Sequence, residues 1–177
     1  MSHSFSIASV KKMESYLDLN VRILKEKLTR LSERNEAFDL KKVLHYYVID
    51  VLGELVFSQS FGIQEADDES LVPPVVEHSL LAAATGAWPS MTFTLKKWLP
   101  KLPSKKLHNL FDGRAQCAAL AASCVRKRKA ALGDVKDPEQ VSSERTDILT
   151  SLILAKHPDT GERLNQTELE TEAFGFM

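Results

Sequence analysis

The chain is poor in the residues that interrupt regular structure. Seven glycines and seven prolines together fill 14 of its 177 positions, fewer than the combined usage of about 12% in ordinary proteins would give. Turns should therefore be sparse. Leucine and alanine outnumber valine and isoleucine, and this bias favours helix because unbranched side chains lose little rotamer freedom there. The apolar share of 44% is enough for a hydrophobic core, which excludes disordered and collagen-like classes.

Long apolar runs and an excess of one charge are missing too. The sequence has no apolar run of about 18 residues and no charged-then-apolar leader at Met1. We therefore predict no transmembrane span and no signal peptide, and a soluble intracellular chain as written. The 23 basic and 24 acidic residues give a net charge of −1. Such a balance provides no overall field toward nucleic acid, and no nucleic-acid partner is expected.

Signatures of metal, nucleotide or acyl-transfer chemistry are also absent from the sequence. No two of the five histidines have the i, i+4 spacing of paired metal ligands on a helix. The sequence contains neither a glycine-rich nucleotide loop nor a G-x-S-x-G motif. Cys117 and Cys124 are separated by about 10.5 Å along a predicted helix, beyond the roughly 7 Å that a disulfide allows between Cα atoms.

Apolar residues do recur at helical spacing along most of the chain. They predict amphipathic helices over Ile7–Leu31, Leu40–Leu55, Val75–Ala87 and Lys105–Leu132, a short helix through Lys156, and a last helix from Gln166. The apolar stripe of the second helix is wide, which predicts burial on most of its surface. The expected N-terminal caps are Ser6 or Ser4, Asp39, Asp147, and a capping box of Asn165 with Glu168. Solvated loops are predicted over Glu65–Ser70 and Asp134–Arg145, and the fold class is all-α.

Two segments admit competing interpretations. The segment Trp88–Pro103 contains three prolines yet carries many large apolar residues. It is either a packed corner of the core or an interfacial patch that touches a membrane. The run Arg126–Lys129 resembles a nuclear address or a nucleic-acid contact. Cations in the last turns of a helix also complement its exposed carbonyls, and we favour this last interpretation.

Several short motifs follow one another in an order that is typical of a known family. In chain order they are Ser2–Ser6, Val10–Glu14, Phe38–Leu40, Asp50–Phe57 with Phe61 and Gly62, Thr146–Leu152, and Leu164–Leu169 running into Ala173–Met177. Together they resemble the middle of a cytochrome P-450, the haem-thiolate monooxygenase family, of a fungal microsomal type. The resemblance covers essentially the whole chain. Its most specific part is Asp50–Gly62, which is similar to the family's helix E pattern.

The resemblance implies a single partial domain over residues 1–177, an all-α fragment with the family's helices D to H and the start of helix I. Val75–Ala87 would correspond to helix F and Lys105–Leu132 to helix G. In microsomal members the region between them lies over the substrate channel and touches the bilayer. This favours membrane contact through Trp88, Met91, Phe93 and Trp98. Substrate-pocket candidates are Phe176, Ala173, Leu81 and Thr85, for which ordinary core packing is the competing interpretation.

For the parent protein the resemblance implies a cysteine-ligated haem iron that uses O₂ to hydroxylate a lipophilic substrate. Electrons would come from an NADPH-dependent reductase, at the cytoplasmic face of the endoplasmic reticulum and in secondary metabolism. The family's helix C Trp and Arg, acidic-Thr-Thr, E-x-x-R and cysteine-loop motifs are not found here. No catalytic, haem-binding or metal residue is therefore assigned, and we expect the fragment alone to be inactive.

Phe111–Cys117 has the residue types of the family's cysteine loop but the wrong spacing, and it lies within a helical pattern. We therefore predict that Cys117 is a buried apolar residue. The alternatives to a monooxygenase part are a non-catalytic helical interaction module and a truncated gene product.

Overall fold

The computed structural model describes residues 11, 13–133, 147–157 and 161–177. In these ranges the regular structure is helical, and the only pairing of extended backbone there is an isolated antiparallel bridge between Lys156 and Arg163. The α-helices are α1 (Glu14–Glu33), α2 (Leu40–Phe57), α3 (Ile63–Ala66), α4 (Val75–Gly86), α5 (Thr92–Trp98), α6 (Lys105–Leu132), α7 (Ile148–Leu154) and α8 (Gln166–Gly175). Single 3₁₀ turns occur at Glu69–Leu71, Pro89–Met91 and Leu99–Lys101. The predicted all-α class is confirmed.

The predicted caps that fall within the described ranges are present. The Asp39 carboxylate accepts a hydrogen bond from the Lys42 amide at 3.2 Å. Asn165 and Glu168 form a reciprocal capping box, with amide-to-side-chain distances of 3.0 and 2.8 Å. These bonds satisfy donors that the first turn of a helix otherwise leaves unpaired.

Some predicted segments differ from the structure or cannot be compared with it. The proposed Ser4 or Ser6 cap and the loop 134–145 lie outside the described residues. The segment Glu65–Ser70 is exposed as predicted, but it is not a plain loop. It holds the end of α3 and most of a 3₁₀ turn, because Asp68 accepts a hydrogen bond from the Ser70 amide at 2.8 Å and opens that turn.

The chain divides into two compact units. The first consists of Met1–Val72 and Val125–Leu169, and the second of Pro73–Cys124 and Glu170–Met177. Helices α6 and α8 each contribute residues to both. That the whole chain is one partial domain of a larger protein stays a prediction.

The first unit is organised around the motif that begins at Asp50. The Asp50 carboxylate is buried and accepts hydrogen bonds from the amides of Ile63 and Gln64, at 3.2 and 2.8 Å. It therefore caps α3 from a neighbouring helix. Gly53 lies one turn further along α2, where a Cβ atom would overlap the Gln59 carbonyl oxygen and lie 2.9 Å from the Phe61 ring. The motif thus has a structural role: a carboxylate and a missing side chain hold the following loop against α2.

The predicted burial of α2 on most of its surface is only partly correct. Its buried face includes Val43, Tyr46, Ile49, Val56 and Phe57, together with the polar residues Asp50 and Glu54. Leu40, Leu44 and Val48 are instead exposed by 41 to 56%. Four-residue spacing aligns these three side chains as an apolar ridge on another side of the helix. Hydrophobic periodicity alone counted the ridge as core because it cannot distinguish a covered apolar face from an uncovered one.

A second buried polar group ties three segments of the first unit together. Asp147 is fully buried, and its carboxylate accepts hydrogen bonds from the Thr150 amide at 2.6 Å and from the Ser58 hydroxyl at 2.6 Å. Arg128, near the end of α6, pairs with the same carboxylate at 2.5 Å. The Arg128 guanidinium also donates to the Thr150 hydroxyl at 2.8 Å. Asp147 is therefore the predicted cap of α7 and, in addition, a link to α6 and to the end of α2.

Candidate functional site

The predicted substrate-pocket residues all belong to the second unit. Leu81 and Thr85 lie one turn apart on α4 and are each 3% exposed. Ala173 lies on α8 and is fully buried, whereas Phe176, just beyond α8, is half-buried. Of these four candidates, Phe176 keeps the most accessible surface.

Helices α4, α6 and α8 meet at a cluster of three side chains, which we call the ring cluster: His78, Arg114 and Phe174. The ring centroids of His78 and Phe174 are 4.5 Å apart, with the rings tilted by 55°. The Arg114 guanidinium carbon lies 4.7 Å from the Phe174 centroid, which is a cation–π contact. The guanidinium nitrogen Nη1 is also 3.4 Å from His78 Nδ1. One aromatic side chain of α8 thus contacts a residue from each of the other two helices.

The ring cluster includes the face of α4 that carries two of the predicted pocket residues. His78, Leu81 and Thr85 follow one another at helical spacing, so they share one face of α4. His78 contacts Phe174, which is adjacent to Ala173 and two residues before Phe176. The face of α4 chosen from sequence is therefore the face that carries the contact with α8.

Small residues allow α4 and α6 to approach closely in this unit. A Cβ atom on Gly113 would be 2.7 Å from Cβ of Glu77, so no larger residue fits there without displacement of α4. The neighbouring buried residues of α6 are also small: Cys117, Ala121 and Cys124. This close approach brings Arg114, the residue after Gly113, within reach of His78.

The environment of His78 favours a neutral imidazole. Burial, and secondly the Arg114 guanidinium, lower the pKa of His78 below its ordinary value of 6.5. Because a guanidinium can only donate, Nδ1 of His78 is the acceptor of the 3.4 Å contact. The proton of the neutral ring is then on Nε2. His78 therefore contributes a polar but uncharged edge to the ring cluster.

Thr85 uses its hydroxyl group within the helix. The hydroxyl donates to the Leu81 carbonyl at 2.8 Å, and the Thr85 carbonyl accepts a hydrogen bond from the Thr92 hydroxyl at 2.8 Å. The second bond joins the end of α4 to the start of α5. Thr85 thus has a structural role in the turn between these helices, whatever else it contacts.

Open depressions on α1 do not involve any predicted pocket residue. The largest of three such depressions has a volume of about 590 Å³ and is lined by Arg22, Lys25, Glu26, Thr29 and Arg30. The others are also lined by α1, the third together with Gln64, Glu65 and Asp67. All three are open to solvent, and none is lined by a residue of the ring cluster.

Cys117 does not have the properties of an iron ligand. It lies inside α6 and is fully buried, as predicted. Burial, and secondly the charge of Glu77, raise the pKa of its thiol above the ordinary value. A metal binds the thiolate, and a raised pKa keeps the sulfur protonated at neutral pH. Cys117 therefore does not fit the position of the iron ligand in a haem-thiolate site.

The segment between α4 and α6 exposes most of its large side chains. Phe93 is 88% exposed, Trp88 67%, Trp98 61% and Met91 49%. The interpretation of these four as a packed corner of the core is therefore wrong, because only neighbours such as Leu95 and Leu99 turn partly inward. In the described ranges, no helix has the combined length and hydropathy needed to cross a bilayer.

Sequence reasoning missed the ring cluster and the Arg128–Asp147 pair. The sequence predicts that the cations of Arg126–Lys129 face the end of the helix, but Arg128 pairs with the buried Asp147 instead. His78 and Arg114 are 36 positions apart in sequence, and only the approach of α4 to α6 brings them together. The one local signal was the isolated glycine within the α6 pattern at Gly113, since such a glycine often marks close packing.

Comparison with known proteins identifies the family. The family model for cytochrome P450 matches residues 1–177. The chain belongs to the cytochrome P450 family. Its P450 relatives include benzoate 4-monooxygenase bphA of Aspergillus niger, 23% identical over 195 residues, which cover 98% of this chain and 36% of the relative.

Two further P450 relatives are each named as a cytochrome P450 monooxygenase. The protein astA of Talaromyces wortmannii is 25% identical over 180 residues, which cover 98% of this chain and 32% of the length of astA. The protein gsfF of Penicillium aethiopicum is 30% identical over 156 residues, which cover 86% of this chain and 30% of the length of gsfF. The chain thus spans about a third of the length of these fungal P450 relatives. No solved structure matches it.

Proposed function

We propose that this chain is part of a cytochrome P450 monooxygenase that hydroxylates a lipophilic organic substrate. In such an enzyme a cysteine-ligated haem activates O₂, with electrons from an NADPH-dependent reductase. The observation that carries the proposal is the family match over the whole chain. The relatives are named as monooxygenases, which supports the reaction type. A role in secondary metabolism is part of the same proposal.

The contribution of this chain would be to cover the substrate, not to bind iron. The ring cluster supports this role because it joins three helices through contacts on one aromatic ring, one of them the cation–π contact of Arg114. Phe176 is our first candidate for substrate contact, since it keeps more accessible surface than Leu81, Thr85 or Ala173. Those three are buried and would determine the shape of the pocket by packing against the residues that line it.

The exposed side chains of Trp88, Met91, Phe93 and Trp98 would contact a membrane. Apolar side chains that are exposed as a group mark interaction surfaces more often than isolated ones do. Tryptophan in particular favours the interface between lipid and water. We propose that the parent enzyme is located at the cytoplasmic face of the endoplasmic reticulum and that these residues rest on that bilayer.

The test of the proposed function starts from the coding sequence on both sides of these residues. We expect an acidic-Thr-Thr helix motif and a cysteine loop downstream in the same reading frame. The complete protein, once expressed, should give a thiolate-type Soret band in the carbon monoxide difference spectrum after reduction with dithionite. A stop codon directly after Met177 in a well-supported transcript, with a monodisperse folded product, would instead favour the interaction module.

Phe176 can then be tested in the complete protein. Phe176→Ala should change the substrate-induced shift of the Soret band and the distribution of products, while the haem content stays the same. Val76→Ala is the matched control, because Val76 is 60% exposed on α4. Equal effects of the two substitutions would show that Phe176 does not line the substrate pocket.

A further inference from the structure

The distribution of charge around the exposed aromatic residues is strongly uneven. Between Glu77 and Asp112 the sequence contains no acidic residue. The same stretch holds five lysines, at positions 96, 97, 101, 105 and 106. The chain as a whole has a net charge of −1. One segment of the second unit therefore carries a local positive charge that the overall composition hides.

This segment exposes lysines together with large apolar residues. We define the aromatic–lysine surface as Trp88, Met91, Phe93, Lys96, Lys97, Trp98 and Lys101, all of which are exposed. The lysine ammonium groups at these positions take part in no salt bridge within the described part of the chain. Their charge is therefore available to a partner.

Helix α5 aligns the charges with the most exposed aromatic ring. Lys96 and Lys97 follow Phe93 by three and four residues, so both lie on its face of the helix, one turn later. Leu95 lies on the other side and is half-buried. Near the end of α5, the Lys101 ammonium is 5.1 Å from the Trp98 ring centroid. Trp98 thus has an ammonium group beside its ring, and Phe93 has two lysines on its face of the helix.

We propose that the aromatic–lysine surface selects bilayers with anionic headgroups. The inference rests on the proposed membrane contact and specifies the lipid. The rings and Met91 would enter the boundary between headgroups and acyl chains. The lysines would extend their apolar stems along the same surface and keep their ammonium groups at the level of the headgroups. Anionic phosphates and carboxylates are the groups that these ammonium ions can pair with.

The composition of the surface favours a lipid over an acidic protein. Between Arg34 and Arg114 the sequence has no arginine. Protein interfaces are enriched in arginine and depleted in lysine, because the planar guanidinium gives directed paired contacts. A set of lysines beside tryptophan and phenylalanine instead resembles the polybasic and amphipathic segments that bind anionic membrane surfaces.

Vesicle sedimentation with the 177-residue chain tests this inference. One vesicle type is phosphatidylcholine alone, and the other contains about 30 mol% phosphatidylserine. We expect at least about ten-fold tighter partition onto the anionic vesicles, since each lysine near such a surface contributes about five-fold. The difference should shrink between about 0.05 and about 0.5 M salt, because ions screen the attraction.

Two triple variants test whether binding depends on the lysines of this surface or only on the total positive charge of the chain. Replacement of Lys96, Lys97 and Lys101 by glutamine should lower binding to anionic vesicles roughly 10- to 100-fold and leave binding to neutral vesicles unchanged. The control replaces Lys25, Lys41 and Lys127 by glutamine. These residues are exposed elsewhere, and the control should bind almost as the unsubstituted chain does.

The outcomes distinguish the inference from the proposed function. Equal binding to both vesicle types would overturn the lipid selectivity and leave the membrane contact standing. Absence of binding to either type would overturn both. An equal loss in the two triple variants would overturn the assignment to this surface. Tighter binding to immobilised polyglutamate than to anionic vesicles would replace the lipid by an acidic protein partner.

Discussion

Asp39 and Asp147 each cap the helix that directly follows them, but only Asp147 is buried. Asp39 is exposed and caps α2, whereas Asp147 caps α7 and also pairs with Arg128. Asparagine caps a helix about as well as aspartate does, so substitution by asparagine removes the charge and keeps the cap. The two positions therefore separate capping from ion pairing.

We predict that Asp147→Asn lowers the free energy of unfolding by about 3 kcal/mol. The substitution would leave the Arg128 charge without its partner and would turn an amide N–H₂ group toward the Ser58 and Thr150 donors. Asp39→Asn is the control and should change stability by less than about 0.5 kcal/mol. Urea unfolding followed by circular dichroism measures both. Similar small effects would show that Asp147 acts as a cap only.

His78 should make the stability of the second unit depend on pH. Its pKa in the folded chain is lowered, mainly by burial. At pH values between the pKa of His78 in the folded chain and 6.5, the unfolded chain binds a proton more readily than the folded chain. Acid therefore favours unfolding. The contribution of neutral His78 to the free energy of unfolding is complete above about pH 6.5. It is lost as the pH falls from 6.5 to the pKa of His78 in the folded chain.

We therefore expect the urea midpoint of the unsubstituted chain to fall between about pH 7.5 and about pH 5. His78→Gln should show a smaller fall, because glutamine keeps a polar group and does not titrate. His108→Gln is the control, since His108 is exposed and its ring contacts the Pro100 carbonyl oxygen at the surface. Equal pH dependence in the His78 variant and the unsubstituted chain would contradict the assignment.

At the scale of the helices, two glycines differ in what surrounds them. Gly53 is closed in by the Gln59 carbonyl and the Phe61 ring, whereas nothing lies within 4 Å of the Cβ position of Gly86. A methyl group at Gly53 would push the loop away from α2. At Gly86 the same methyl group would only restrict the unfolded chain and favour helix.

We predict that Gly53→Ala destabilises the chain by about 1–3 kcal/mol. Gly86→Ala should be neutral or should stabilise it by up to about 1 kcal/mol. Thermal or urea unfolding of both variants tests the pair. A neutral Gly53→Ala would mean that the Asp50 motif does not hold the loop as described.

The orientation of α5 gives another prediction at this scale. Phe93 is 88% exposed, while Leu95 turns partly inward. Phe93→Ser should therefore change the free energy of unfolding by less than about 0.5 kcal/mol. Leu95→Ser should cost about 1 kcal/mol or more, because it removes apolar contacts. The reverse order of the two costs would show that α5 faces the other way.

At the scale of the whole molecule, local features were predictable and distant contacts were not. The bounds of α4 and α6 and the caps at Asp39, Asp147 and Asn165 follow from interactions within a few residues. The partners of Arg128 and Arg114 come from elsewhere in the chain. The family motif at Asp50 was recognised as a pattern, but its reason, a carboxylate that caps α3, required the structure.

The whole chain should not form a haem-thiolate complex by itself. We expect that addition of hemin, dithionite and carbon monoxide to the purified 177 residues gives no thiolate-type Soret band. Cys117 is enclosed in α6, and the pKa of its thiol is raised. The complete protein serves as the positive control. A thiolate-type band from the chain alone would contradict both the structure of α6 and the role that we propose for it.

The apolar ridge of Leu40, Leu44 and Val48 on α2 has a practical consequence for these measurements. Aligned aliphatic side chains in water promote self-association, and they do so more strongly at high protein concentration. A purified sample is therefore expected to form dimers or larger aggregates before it unfolds. Each melting or sedimentation experiment should accordingly be repeated over a dilution series, and Leu44→Gln with Val48→Gln offers a more soluble background for the other variants.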